Sequence, residues 1–181
     1  AAVGDWPQWR GQERDDISRE TGLLKQWPEG GPKQLWIFNK AGLGYSGFST
    51  SAGTLFTMGA NENSEEELIA LDAATGTEKW RVVVGARLAN GWGDGPRSTP
   101  TVDGDRVYAL GGKGDLLCAS TADGKKLWST SLTADHGGKI QSWGYTESVL
   151  VKGGHVYCTP GGPQGTVLAL DKMTGTKVWQ S

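Results

Sequence analysis

Asp72-Ala73-Ala74-Thr75-Gly76-Thr77-Glu78-Lys79-Trp80 lines up with Ser120-Thr121-Ala122-Asp123-Gly124-Lys125-Lys126-Leu127-Trp128 and with Asp171-Lys172-Met173-Thr174-Gly175-Thr176-Lys177-Val178-Trp179. In each copy Gly precedes Trp by four residues, and a short polar residue, Asp or Ser, precedes it by eight. Upstream, Thr54-Leu55-Phe56 matches Arg106-Val107-Tyr108 and His155-Val156-Tyr157. Trp36, in Gln34-Leu35-Trp36-Ile37-Phe38, resembles the end of a unit without its preceding parts. The four tryptophans follow one another at 44, 48 and 51 residues, the period of stacked supersecondary units.

Each copy reads as four short strands. In the second copy the first strand is expected at Ser98 to Val102, with a tight turn at Asp103-Gly104-Asp105. Arg106 to Leu110, Asp115 to Ala119 and Lys126 to Leu132 then supply three more. Asp-Gly pairs between alternating apolar runs are hairpin signals, because Gly accepts the positive φ of twist-matched turns. No segment carries a helical period of useful length, a turn near Ile17 to Leu24 aside. Four antiparallel strands repeated at about 45 residues describe a blade of a β-propeller. The bulky Trp80, Trp128 and Trp179 suit the wedge between neighbouring sheets, and each indole N–H needs an acceptor. Gly76, Gly124 and Gly175 would allow the turn and a close backbone approach, with Asp72, Ser120 and Asp171 bonding the turn's own amides. The expected organisation is a leader over 1–32, a closing strand at 33–39, and blades near 45–84, 97–132 and 146–181.

Composition removes several alternatives. The 181 residues include 29 Gly and 9 Trp, 21% are charged, and the net charge is -2. There is no Gly-x-y period, which excludes collagen, and the aromatic content argues against wholesale disorder. The absence of a basic block argues against a nucleic-acid partner. No window of 18 apolar residues occurs, so no helical membrane span is expected. The opening Ala1-Ala2-Val3-Gly4-Asp5 fits a mature end left after export, in the periplasm or outside the cell.

The recurring Asp-x-x-Thr-Gly-x-x-x-Trp pattern resembles the tryptophan-docking motif of the PQQ-like β-propellers, the superfamily of the quinoprotein alcohol dehydrogenases. Asp5-Trp6-Pro7-Gln8-Trp9-Arg10-Gly11 and Gly93-Asp94-Gly95-Pro96-Arg97-Ser98-Thr99-Pro100 look like a branch of exported repeat proteins common in planctomycetes. The resemblance implies an all-β fold, here about three blades plus the Trp36 strand. Members usually carry seven or eight blades, so further blades are expected from the rest of the chain or another subunit. Fold alone does not give activity.

In a blade running outward from the axis, the links from strand four to the next strand one emerge at one mouth. Three such links, 41–46, 85–97 and 133–147, carry Tyr45, Trp92, Asp94, Arg97, Gln141, Trp143 and Glu147. These seven are the candidate ligand-binding residues, with indole walls and Arg97 and Glu147 as charged contacts. Their structural alternative is local: indoles packed over blade tops and Arg97 in an ion pair.

Other candidates read as structural. His136 lacks a second His at ligand spacing, so no metal site is expected there, and His155 sits where Arg106 and Thr54 stand in sister copies. Glu65-Glu66-Glu67 lacks the Asp-x-Asp-x-Asp-Gly calcium pattern and reads as a solvated acidic turn. Cys118 aligns with Ala70 and Ala169, and Cys158 with Ala109 and Thr57; both read as small buried fillers, with an interblade disulfide left open. Two functions follow. The first is an exported propeller acting as a binding or scaffold module for a protein, glycan or envelope partner. The second, implied by the resemblance, is a quinoprotein dehydrogenase using PQQ with Ca²⁺. No catalytic residues can be assigned for it, and the adjacent Cys-Cys pair that stacks on the quinone in many members is missing.

Overall fold

A computed structural model describes residues 4–181; Ala1–Val3, part of the expected mature end, lie outside them. Twelve strands form three four-stranded antiparallel sheets, each meandering in chain order. The first blade holds β1 (Phe48–Ser51), β2 (Thr54–Ala60), β3 (Glu65–Asp72) and β4 (Glu78–Ala86). The second holds β5 (Thr101–Asp103), β6 (Arg106–Leu110), β7 (Asp115–Ser120) and β8 (Lys126–Ser131). The third holds β9 (Leu150–Lys152), β10 (His155–Cys158), β11 (Leu168–Asp171) and β12 (Lys177–Gln180). None of the described residues is helical, including Ile17 to Leu24. The architecture is an all-β sector of a propeller. The first strand of the second blade begins at Thr101 rather than Ser98, since Pro100 has no N–H to give a ladder.

The two faces of the middle sheet explain the stacking. Val107 and Ala109 of β6, with Leu117 and Ala119 of β7, pack against Phe56, Met58, Leu68 and Ala70 of the first blade. The alternate residues Tyr108, Leu110, Leu116 and Cys118 pack against Val156, Cys158, Leu168 and Leu170 of the third. A strand buried on both faces reads as a continuous apolar run, as β6 does from Val107 to Leu110. Each fully buried Leu, Val or Tyr contributes about 1.5–3 kcal/mol.

The repeated tryptophans close these interfaces. Trp36, Trp80 and Trp128 lie over Gly76, Gly124 and Gly175, each the glycine of the following copy; a Cβ on any of the three would come within 2.6 Å of the ring. The three glycines have φ of +71°, +71° and +74°, the left-handed region that side chains resist. Each indole N–H donates to a carbonyl in the same turn: Ala73 at 3.1 Å, Thr121 at 3.2 Å and Lys172 at 3.0 Å. The turns are held from within, as expected. Asp72 Oδ1 accepts from the Thr75 amide at 2.9 Å and Asp171 Oδ1 from the Thr174 amide at 2.9 Å. Opposite each outer-strand tryptophan stands a small residue, Ala70, Cys118 or Ala169, followed at once by a register shift. A phenyl or phenol ring from the second strand packs beside each: Phe56 on Trp80, Tyr108 on Trp128, Tyr157 on Trp179.

Three sequence expectations change. The stretch 33–39 has no ladder partner among the described residues, although Trp36 is seated on the first blade. Glu65–Glu67 is the start of β3, and Glu66 is fully buried rather than solvated. Cys118 and Cys158 are free thiols. Both are buried fillers, and burial pushes the Cys158 thiol up to about 12.

The leader is not a tail. Trp6 exchanges backbone hydrogen bonds with Thr50 of β1, at 3.0 and 2.9 Å, and the Val102 amide of β5 donates to Pro7 O at 2.7 Å. Arg14 Nη2 donates to Val149 O at 2.8 Å, just before β9. The leader therefore crosses the inner edge of all three blades.

Candidate functional site

Inner strands start at one end of the stack, and equivalent positions meet there. Counting back from the paired ends Ser51, Asp103 and Lys152 makes Tyr45, Arg97 and Thr146 equivalent, and likewise Gly47, Thr99 and Ser148. All six line one cavity of about 530 Å³, completed by Glu147 and by Trp9 and Arg14 of the leader. The volume lies within the usual range of small-molecule sites, about 300–1,000 Å³. Gly47 is needed where the strands converge: a Cβ there would stand 2.4 Å from Thr99 Oγ1. Side-chain bonds cross between the inner strands, from Thr99 N to Ser148 Oγ at 2.9 Å and from Thr101 Oγ1 to Val149 O at 2.8 Å.

Arg97 binds its own loop, donating to Gly95 O at 2.6 Å and Gly93 O at 2.7 Å, and its guanidinium lies 5.6 Å from the Tyr45 ring. Tyr45 OH donates to Trp92 O at 3.0 Å, so arginine and phenol brace the link between β4 and β5. Glu147 accepts from Thr159 N at 2.6 Å and Thr159 Oγ1 at 2.8 Å. Trp92 and Trp143 lie on the rim, 76% and 54% exposed, with ring centroids 5.9 Å apart. Asn90 Nδ2, bonded to Ser142 O at 2.6 Å, ties their two loops together. Asp94 shapes the loop, accepting from Asn90 N at 2.9 Å and pairing with Arg87 at 3.6 Å. Gln141 is exposed and reaches only Lys139 O, at 3.4 Å.

The seven expected residues thus divide. Tyr45, Arg97 and Glu147 line the cavity, Trp92 and Trp143 form the rim, and Asp94 and Gln141 serve their own loops. Sequence reasoning missed Trp9, Arg14, Thr99, Thr146 and Ser148. The dense Trp and Arg content of Asp5–Gly11 was the available signal for the leader's share.

Glu66 was missed as well. Its Oε1 accepts from Leu88 N at 3.0 Å and its Oε2 from Gly112 N at 2.7 Å, while Gly112 O accepts from Tyr145 N at 2.9 Å. One carboxylate thereby joins the link after β4 to the turn after β6, and that turn holds the link after β8 through Gly112 O. Burial raises its pKa, opposed by the two amide bonds and by Arg97, with Asp115 adding to the rise. Burial also lowers the pKa of His136, which is bonded to Thr130 Oγ1 at 3.0 Å.

The cavity residues do not fit a quinone with calcium. Calcium takes six to eight oxygen ligands, whereas Glu147 is the single carboxylate lining the cavity, and both of its oxygens already accept from Thr159. Among the described residues no group of three His, Cys, Asp or Glu side chains is placed to hold a metal. Neither thiol lines the cavity. Among the described residues no helix is long and apolar enough to cross a membrane.

Comparison with known proteins bears on the family and the fold. The profile of the family described as outer membrane protein assembly factor BamB matches residues 64–181. The BamB of Escherichia coli strain K12 is 30% identical over 132 residues, covering 66% of this chain and 31% of that protein. A serine/threonine-protein kinase, AfsK, of Streptomyces griseus is 30% identical over 161 residues, 88% of this chain and 19% of that protein. The chain thus spans less than a third of either relative. Among solved structures, BamB from Moraxella catarrhalis superposes with a TM-score of 0.55 at 23% identity, over 81% of this chain and 39% of that one. Quinohemoprotein alcohol dehydrogenase from Comamonas testosteroni gives a TM-score of 0.64 at 20% identity, over 100% of this chain and 28% of that one. At these identities the superpositions speak for the fold alone. Repeat, sheets and profile lead to one assignment: the chain belongs to the BamB-like family of PQQ-like β-propeller repeat proteins.

Proposed function

We propose that this chain is a binding module of the cell envelope whose mouth loops form the contact surface for a protein partner. The observation that carries this reading is the exposed indole pair Trp92–Trp143, set on two loops joined by Asn90 and braced by Tyr45 and Arg97. Exposed aromatic groups on a rigid frame are the anchors that protein interfaces favour. The tryptophan-over-glycine contacts are the docking elements that keep the frame rigid. The Escherichia coli relative is named for outer membrane protein assembly, and we extend to this chain an envelope location, periplasmic or secreted, and a protein partner. Oxidation of an alcohol through PQQ has no donor set at the cavity, among the described residues, to support it.

The test is photocrosslinking in the intact protein in its native host. A photoreactive residue at position 92 or 143 gives a discrete adduct, one at the outer-strand position 178 gives none, and Trp143→Ala weakens the adduct from position 92. Equal labelling from all three positions, or no adduct from the rim, would overturn the reading.

A further inference from the structure

We propose that the cavity between the leader and the inner strands is a site for a sugar acid, with its carboxylate between Arg14 and Arg97 and its ring against Trp9 and Tyr45. This rests on the binding-module reading but concerns a second ligand, bound below the indole rim.

The leader forms a fixed wall. The Trp6–Thr50 and Pro7–Val102 hydrogen bonds hold it, and Gly11, at φ +82°, turns it back beneath the Trp6 ring, where a Cβ would lie 2.8 Å from the indole. Arg14 is held in addition by its own bonds to Val149 O and Gln8 Oε1, while Trp9 stands half exposed on this wall. Without them the cavity would be an open trough along the inner strands.

The charge is unbalanced. Arg14 donates to Val149 O and Gln8 Oε1, and Arg97 donates to Gly93 O and Gly95 O, all neutral acceptors. Neither arginine forms an ion pair among the described residues. Glu147, the one carboxylate on the lining, has both oxygens committed to Thr159. On the lining itself two guanidiniums stand against one carboxylate, with the buried Glu66 acting on Arg97 from behind it, and neither guanidinium is hydrogen-bonded to an anion there. Burial lowers the Arg14 pKa, and the nearby Glu147 carboxylate opposes that shift.

The rest of the lining selects what carries the ligand's carboxylate. Trp9 and Tyr45 line the cavity with rings that carry a guanidinium on one side, Arg10 at 5.3 Å and Arg97 at 5.6 Å, and would take the C–H face of a pyranose on the other, while Thr99, Thr146 and Ser148 offer short hydroxyls to its ring hydroxyls. Phosphate alone would leave the aromatic faces unused, and a fatty acid would leave the hydroxyls unpaired. A hexuronate uses all three kinds of contact.

Calorimetric titration of the intact protein with digalacturonate, galactobiose, inorganic phosphate and acetate tests this. Saturable digalacturonate binding is expected, at least about tenfold tighter than the other three and weakened by added salt. Trp9→Ala, which removes no recorded hydrogen bond, lowers that affinity at least about fivefold with the unfolding midpoint unchanged, and Arg97→Gln lowers it further. If Arg97→Gln disturbs folding, Trp9→Ala decides. No saturable binding, equal binding of galactobiose or phosphate, or an unaffected Trp9→Ala variant would overturn the proposal. Rim photocrosslinks, insensitive to Trp9→Ala, report separately on the binding-module reading.

Discussion

Gly124 is held at φ +71° with the Trp80 ring where a Cβ would go. Gly124→Ala meets both backbone strain and an immovable neighbour, so a loss of about 2–4 kcal/mol is expected in urea unfolding. Trp128, 8% exposed, is buried between the second and third blades, and Trp128→Ala should cost about 3–5 kcal/mol. Trp179 is 44% exposed, and in this chain Trp179→Ala should cost less than half as much. A larger effect at Trp179 than at Trp128 would contradict this ranking. The residue types of these contacts were legible because they recur three times. Their pairing was not: each indole meets the glycine of the next copy, a relation that spacing alone does not contain. Glu66 was illegible for the opposite reason. It occurs in one copy only, Gly114 standing at the equivalent place, and its neighbours Glu65 and Glu67 made it look solvated.

At the scale of elements, alternation placed β6, β7 and β8 within a residue or two, while Pro100 marks where pattern failed. A strand needs a partner as well as a sequence, and 33–39 has none among the described residues. The leader was illegible as structure because much of its hold on the first two blades is through backbone atoms that any sequence would carry, with the Asp5 and Arg14 side chains adding to it. Removing residues 4–16 should therefore speed hydrogen exchange at the Thr50 and Val102 amides, whose acceptors are Trp6 O and Pro7 O. Unchanged exchange there would mean that the leader does not lie on the inner strands in solution. The Glu66 link between mouth segments gives a pH dependence. A carboxyl whose folded pKa is raised contributes stability that is complete below its ordinary value of 4.5 and is lost as pH rises through the folded pKa. The stability margin of the parent over Glu66→Gln should hence be larger at pH 4.5 than at pH 7. A margin that grows with pH would show that the amide bonds outweigh burial.

Across the whole molecule, three twisted sheets share two apolar interfaces and one inner edge. Wedging by indoles fixes the angle between sheets, and that angle brings Tyr45, Arg97 and Thr146 to one cavity. The mouth could be located in sequence because propeller connectivity assigns the links to one end. Its division into rim and cavity needed coordinates, since Trp92 and Arg97 share one link and yet the first is exposed at the rim while the second lines the cavity. The most direct test of indole wedging is hydrogen exchange of the nine tryptophan side-chain N–H groups by NMR. The N–H groups of Trp36, Trp80 and Trp128, bonded to Ala73, Thr121 and Lys172, should exchange slowly, and those of the exposed Trp27, Trp92 and Trp143 rapidly. Exchange of Trp80 and Trp128 as fast as that of Trp92 would contradict the stacking on which the cavity and its rim depend.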